Sequence, residues 1–141
     1  MTARAPSLRH RLAPAQIALH AEALAAVVGA SLAIRLLPFA RAVAAPRVRG
    51  EPRPGELRRL RSAVRAWSRR VPWRALCFES ALALRSMLAR RGVAATLHYG
   101  IAREDGLKAH VWLSIGDDVV IGGEDAPRFA EVAAFHPRRQ V

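Results

Sequence analysis

The sequence predicts an α+β fold, in which N-terminal helices and a cysteine-bearing helix pack on a small antiparallel sheet. Three observations predict it. Apolar residues recur at helical spacing in three stretches before Gly92. Strand-like alternation replaces that spacing after Gly92. A chain of 141 residues, 52% of them hydrophobic, can bury one core of domain size.

Residues Met1 to Arg11 read as a basic, polar arm. An alanine-rich helix follows from Pro14 to about Phe39, because proline suits a first helical turn and Pro38 ends the pattern. Ala23 to Ile34 is free of charge for only 12 residues, between Glu22 and Arg35. That falls short of the roughly 20 a bilayer span needs, so the expectation is a buried helix and no transmembrane segment. His20 and Glu22 also interrupt the apolar run that a secretory signal requires. Pro46, Gly50, Pro52, Pro54 and Gly55 mark a linker. Leu57, Leu60, Val64, Trp67 and Val71 then restore helical spacing up to Pro72. The expected organisation is an arm, helix and linker over 1–55 and a core over 56–141, with 14–39 packed into one compact unit with that core.

From Cys77, apolar residues recur at Ala81, Leu84 and Leu88, which places the thiol on the apolar stripe of a third helix. Arg90-Arg91-Gly92 closes it, with cations in the last turn and then a residue free to take the left-handed cap conformation. Ala95 to Ala102 and Lys108 to Ile115 alternate as strands. In the second, Ala109, Val111, Leu113 and Ile115 face one way while His110, Trp112 and Ser114 face the other. A turn at Gly116-Asp117 returns the chain through Val119-Val120-Ile121, giving a three-stranded antiparallel sheet. Counting back from an Ile115–Asp118 pair puts His110 opposite Gly123, so the group that orients its imidazole is expected between Gly122 and Asp125. A tail follows from Ala126, in which Arg128 to Phe135 form one further turn or edge element.

Cys77 is the only cysteine, which excludes an intramolecular disulfide and any Cys-rich metal site. A thiol attacks as thiolate, and a helix N-terminus and a nearby imidazole both favour that form. The competing reading is an inert buried cysteine acting as a small hydrophobe. His110, on a strand beside a tight hairpin, is the candidate base. His98 competes with it, but its neighbours in sequence supply no turn or acid to orient it. The five histidines, at 10, 20, 98, 110 and 136, have no metal-ligand spacing, so no metal site is expected. A free, reactive thiol suits a reducing compartment and hence a cytoplasmic location.

The run Pro72-Trp73, Cys77-Phe78-Glu79-Ser80-Ala81-Leu82-Ala83-Leu84, Leu88-Ala89-Arg90-Arg91-Gly92-Val93, Leu97-His98-Tyr99-Gly100-Ile101, Ala109-His110-Val111-Trp112 and Val119-Val120-Ile121-Gly122-Gly123 resembles the lasso peptide biosynthesis B2 proteins. The resemblance is specific from Pro72 to about Phe135 and looser over the lead-in that contains Arg35-Leu36-Leu37-Pro38-Phe39. It implies a papain/transglutaminase-like core and a cysteine peptidase that removes the leader of a ribosomally synthesised precursor. In that family a Cys, a His and an acid on the strand after the His form a triad. Cys77 and His110 match the first two positions, and the family's Asp falls at Gly122 or Gly123. Glu124 is the candidate for the third member, with Asp125 and the turn residues Asp117 and Asp118 as alternatives, or the dyad works without an acid. Trp73 and Trp112 are candidate walls against water or plain core packing. The partners implied are the lasso precursor peptide, a separate leader-recognition protein and an ATP-dependent macrolactam synthetase. The chain has no Gly-rich phosphate loop, so ATP belongs to the partner and no cofactor is expected here.

The net charge of +12 is almost all arginine, with Lys108 the only lysine and eleven arginines between Arg41 and Arg74. Such a surface suits an acidic peptide or protein, a phosphate backbone or an anionic membrane. No nucleic-acid-binding signature accompanies it, and aromatic residues make up only 6% of the chain. Two further readings stay open. One is a transglutaminase or acyltransferase on the same Cys/His pair, passing a thioester to an amine. The other is a non-enzymatic basic adaptor for nucleic acid or an acidic partner.

Overall fold

The computed structural model describes residues 14–50, 55–72 and 77–139. The expected arm over 1–11, the linker residues Pro52 and Pro54, and Trp73 lie outside them. Helix α1 spans Pro14–Leu36 and is followed by the single turn α2, Phe39–Ala42. Pro38 separates the two, extended at φ −57° and ψ 147°, because it has no N–H to continue the ladder of α1. A short strand β1 (Arg47–Val48) precedes α3 (Glu56–Arg70) and α4 (Cys77–Arg90). α3 stops where Val71 turns extended, as a residue before proline does.

α4 is the central element. Among its residues Ala81, Leu84, Met87 and Leu88 are almost wholly buried, between α1 and α3 on one side and the sheet on the other. Leucine and methionine side chains contribute about 1.5–3 kcal/mol each on full burial, which favours placing this helix at the centre. Its end follows the sequence signal. Val93 N–H donates to the Leu88 carbonyl and Gly92 N–H to that of Ala89, with Gly92 at φ +76°. Arg91 then ties three helices together: its guanidinium grips the Glu22 carboxylate of α1 at 2.6 and 2.9 Å and lies 3.6 Å from Glu56 of α3. That grip holds the Glu22 carboxyl below its ordinary value of 4.5, the Arg91 hydrogen bond being the largest cause.

Small residues let α1 approach closely, since its buried stripe is Ala23, Val27, Ala30 and Ser31. Trp67 Nε1–H of α3 donates to His20 Nδ1 of α1 at 3.0 Å. Among the described residues α1 is also the one helix long and apolar enough to cross a membrane, because the helix runs 23 residues rather than the 12 of its charge-free centre. Here its small-residue stripe packs on α4 and α3.

Beyond Gly92 come β2 (Thr96–Arg103), β3 (Leu107–Ile115) and β4 (Asp118–Ile121), then a 3-10 turn (Ala126–Arg128), β5 (Ala130–Phe135) and β6 (Arg138–Arg139). The main sheet has four strands, not three, in the order β4-β3-β2-β5, and β1 pairs with β6 in a separate parallel pair. The extra edge strand is β5, from the segment after Ala126 that was expected to be a tail with one further element. Its alternation is obscured by alanines and by a register shift opposite Tyr99/Gly100. Leu97, Val111 and Leu113 on one face join the core beneath α4. Thr96, His98, Gly100, His110, Trp112 and Ser114 occupy the other face, with His98 opposite Trp112 and Gly100 opposite His110.

Ile115 pairs with Asp118 as counted, but a bulge between Leu113 and Ser114 shifts the register, so that Leu113 pairs with Ile121. The count that placed Gly123 opposite His110 therefore fails by the one residue the bulge inserts. β4 ends at Ile121, and Gly122 turns away at φ +78°.

Candidate active site

Cys77 is the first residue of α4 and is half-buried, less covered than the stripe of Ala81, Leu84 and Leu88 behind it. The first turn of a helix leaves backbone N–H groups without intrahelical partners, aimed where an oxyanion can be held. His110 stands on β3, 8% exposed, and its Nε2 lies 2.8 Å from the carbonyl oxygen of Gly122. A carbonyl oxygen only accepts, so Nε2 carries the proton of this bond and Nδ1 is the basic nitrogen of the neutral ring. The imidazole is further fixed by ring contacts, 5.0 Å from Phe129 and 6.0 Å from Trp112 between centroids.

Cys77 and His110 line one cavity of about 340 Å³, together with Ser80 of α4 and Gly122, Glu124 and Asp125 of the loop after β4. Arg65, Ser68 and Arg69 of α3 form its remaining polar wall. Ser68 Oγ and Ser80 Oγ are hydrogen-bonded at 2.8 Å, which locks α3 against the first turn of α4.

Of the sequence candidates, Cys77, His110, Glu124 and Asp125 come together in this cavity. Asp118 does not: it is exposed and paired with Ile115 at the far end of the hairpin, and Asp117 lies in the adjoining turn. Among the described residues, the His110 imidazole donates its hydrogen bond to the Gly122 carbonyl rather than to a carboxylate. Gly122 lies within the bracket counted from the sequence, but a backbone carbonyl has no side-chain signature to find. What the sequence does hold is the glycine itself. Its φ is +78°, and a Cβ there would meet the Val111 carbonyl oxygen at 2.7 Å and the Trp112 Cβ at 3.1 Å.

His98 is better supported than its sequence neighbours implied. An acid does reach it, from the edge strand: His98 Nδ1 is hydrogen-bonded to the Glu131 carboxylate, and its Nε2 lies 2.6 Å from Ser114 Oγ. Its ring stacks on Trp112 at 5.5 Å and 6°. Trp112 thus stands between the two imidazoles, as packing on the sheet face behind the cavity. His98 is not among the residues lining that cavity. Among the described residues no cluster of three or more His, Cys, Asp or Glu is placed to hold a metal.

A family model described as the transglutaminase-like superfamily matches residues 7–134, a span that takes in the helices before Cys77 as well as the sheet. No curated protein and no solved structure matches the chain.

Proposed function

The chain belongs to the transglutaminase-like superfamily, which generally comprises cysteine peptidases and acyltransferases, and from that premise we propose that it is a cysteine peptidase acting on a peptide precursor. The observation that carries the reading is the shared cavity of Cys77 and His110, with the imidazole tautomer set by the Gly122 carbonyl.

In this mechanism Nδ1 of His110 takes the Cys77 proton and the thiolate attacks the scissile carbonyl. The Cys77 N–H at the start of α4 is the natural first oxyanion donor. Collapse breaks the C–N bond, the imidazolium gives its proton to the leaving amine, and a thioester remains on Sγ. His110 then draws a proton from water, which attacks the thioester and frees the acid and the thiol. The Gly122 carbonyl keeps the ring oriented through both steps, and Glu124, with Asp125 beside it, supplies negative charge to the imidazolium in place of a triad acid.

The finer reading is leader removal from a lasso precursor, with a separate leader-recognition protein and an ATP-dependent macrolactam synthetase as partners in the cytoplasm. The ordered blocks from Pro72 to Gly123 support it, as does a basic surface suited to an acidic peptide. The test is mass spectrometry of a candidate precursor incubated with the protein and the recognition partner. Leader release is expected with the native chain and lost in Cys77→Ala and His110→Ala; unchanged release in Cys77→Ala removes the thiol mechanism. An acyltransferase is the second reading, favoured by the two carboxylates that would attract an amine acceptor into the cavity. It predicts a product mass that depends on added amine.

A further inference from the structure

Charges of both signs line the cavity that holds Cys77 and His110: Arg65 and Arg69 of α3, and Glu124 and Asp125 of the loop after β4, where Asp125 also lies 3.9 Å from Arg128. On one side Arg65 and Arg69 are successive members of a cationic stripe on α3, which begins at Arg61, whose Nη1 donates to the Val120 carbonyl at 3.3 Å. Residues four apart lie on one helix face, about 6 Å along the axis from each other. Ser68, between Arg65 and Arg69, is bonded to Ser80 one turn beyond Cys77, which ties this part of α3 to the helix that carries the thiol. Among the described residues, neither arginine has a carboxylate within ion-pair distance. On the other side Glu124 and Asp125 follow Gly122, whose carbonyl is bonded to His110, so they are held on the imidazole's side.

The chemistry gives those sides meaning. The acyl fragment becomes bonded to Cys77 Sγ, while the amine leaves with the proton from His110. We propose that the cavity selects a charge-polarised peptide, with an acidic side chain in the acyl segment against Arg65 and Arg69 and a cationic group in the leaving segment toward Glu124 and Asp125. The inference rests on the thiol-peptidase reading for which segment lies where. The guanidinium forks match a carboxylate in geometry as well as charge. The opposed carboxylates also reject the reversed orientation by like-charge repulsion.

The experiment uses the full chain with Cys77→Ala, so that bound peptide is not turned over. A single Asp is scanned through an otherwise uncharged fluorescent peptide, and each Asp peptide is compared with its Asn counterpart by anisotropy at low salt. At least one Asp position is expected to bind about tenfold more tightly than Asn, the gain falling as salt screens the pair. Adding Arg65→Gln and Arg69→Gln, both at exposed positions, is expected to bring the ratio to within about twofold, and Arg65→Glu with Arg69→Glu to favour Lys peptides instead. In the best Asp peptide, a Lys in the leaving segment is expected to help only while Glu124 and Asp125 keep their charge. Equal behaviour of the Asp and Asn series, including no binding by either, overturns the proposal. In a parallel incubation with the native chain, cleavage of both series at equal rates that is lost in Cys77→Ala does so too while leaving the peptidase reading intact. A charge preference without any Cys77-dependent cleavage removes the peptidase reading instead.

Discussion

Replacing Gly122 by alanine tests whether a backbone carbonyl orients the His110 imidazole. The residue sits at φ +78°, where a side chain costs about 1–2 kcal/mol. Its new Cβ would also lie 2.7 Å from the Val111 carbonyl oxygen, which is strand backbone and cannot swing aside. Overpacking of this kind adds about 1–3 kcal/mol, so the combined loss is expected near 3 kcal/mol. Relief of the clash requires the 122–125 loop to move off β3, and that movement lengthens the 2.8 Å bond to His110 Nε2. Gly123→Ala is the control, because its Cβ would meet only the side chain of Val119, at 2.9 Å, and that valine is 45% exposed and able to yield. Urea unfolding measures the stability difference, and nitrogen NMR of His110 measures the tautomer. Gly122→Ala should lose the stability, the uniform Nε2–H tautomer, and at least about tenfold in kcat/KM, whereas Gly123→Ala should keep most of each. Equal stability of the two variants with an unchanged tautomer would refute the reasoning.

Other expectations concern the supports around the site. Glu22→Gln removes the charge that Arg91 grips and should cost about 1 kcal/mol at neutral pH, with partial exposure keeping the figure small. Because the folded carboxyl is held below 4.5, its stabilisation is present above that value and disappears as pH falls through the folded value, so the native and Gln chains should converge in acid melts. Arg85 of α4 is buried, donates to the Val43 and Ala44 carbonyls at 3.0 and 3.1 Å, and is pushed down to about 10 by that burial. Arg85→Met should raise hydrogen exchange in 39–48 more than elsewhere, and uniform loss of protection would contradict a local anchor. Glu131→Gln weakens the contact that fixes His98 under Trp112, and is expected to lower kcat severalfold with KM nearly constant, since it touches the packing behind His110 and no cavity wall.

Much of this molecule was legible where periodicity and end signals agree. Leu60 and Val64 marked the buried face of α3, and Arg90-Arg91-Gly92 marked the end of α4, because spacing and cap chemistry are local properties. Local rules failed at the bulge beside Leu113, where one inserted residue breaks a register count made from the turn. At β5 they left a choice between a turn and an edge element, because its alanines alternate weakly, and they gave no sign that Glu131 reaches a histidine far away in sequence. At the site, Cys77 and His110 were visible as side chains with chemistry, and the expected bracket from Gly122 to Asp125 does contain the partner of the imidazole. That partner is a carbonyl, which every residue has, so only the tertiary structure distinguishes it. Arg65 and Arg69 were hidden for a different reason: among eleven arginines between 41 and 74, nothing local singles out the two that line the cavity.

The most direct test of the central claim is to look for the thioester itself. The native chain is mixed with an activated ester of a short peptide acid, quenched in acid, and its intact mass and proteolytic fragments are measured. An acyl adduct is expected, confined to the fragment bearing Cys77, released by hydroxylamine, absent in Cys77→Ala and slow to hydrolyse in His110→Ala. An adduct that forms equally on Cys77→Ala, or turnover by that variant at the native rate, would contradict that claim.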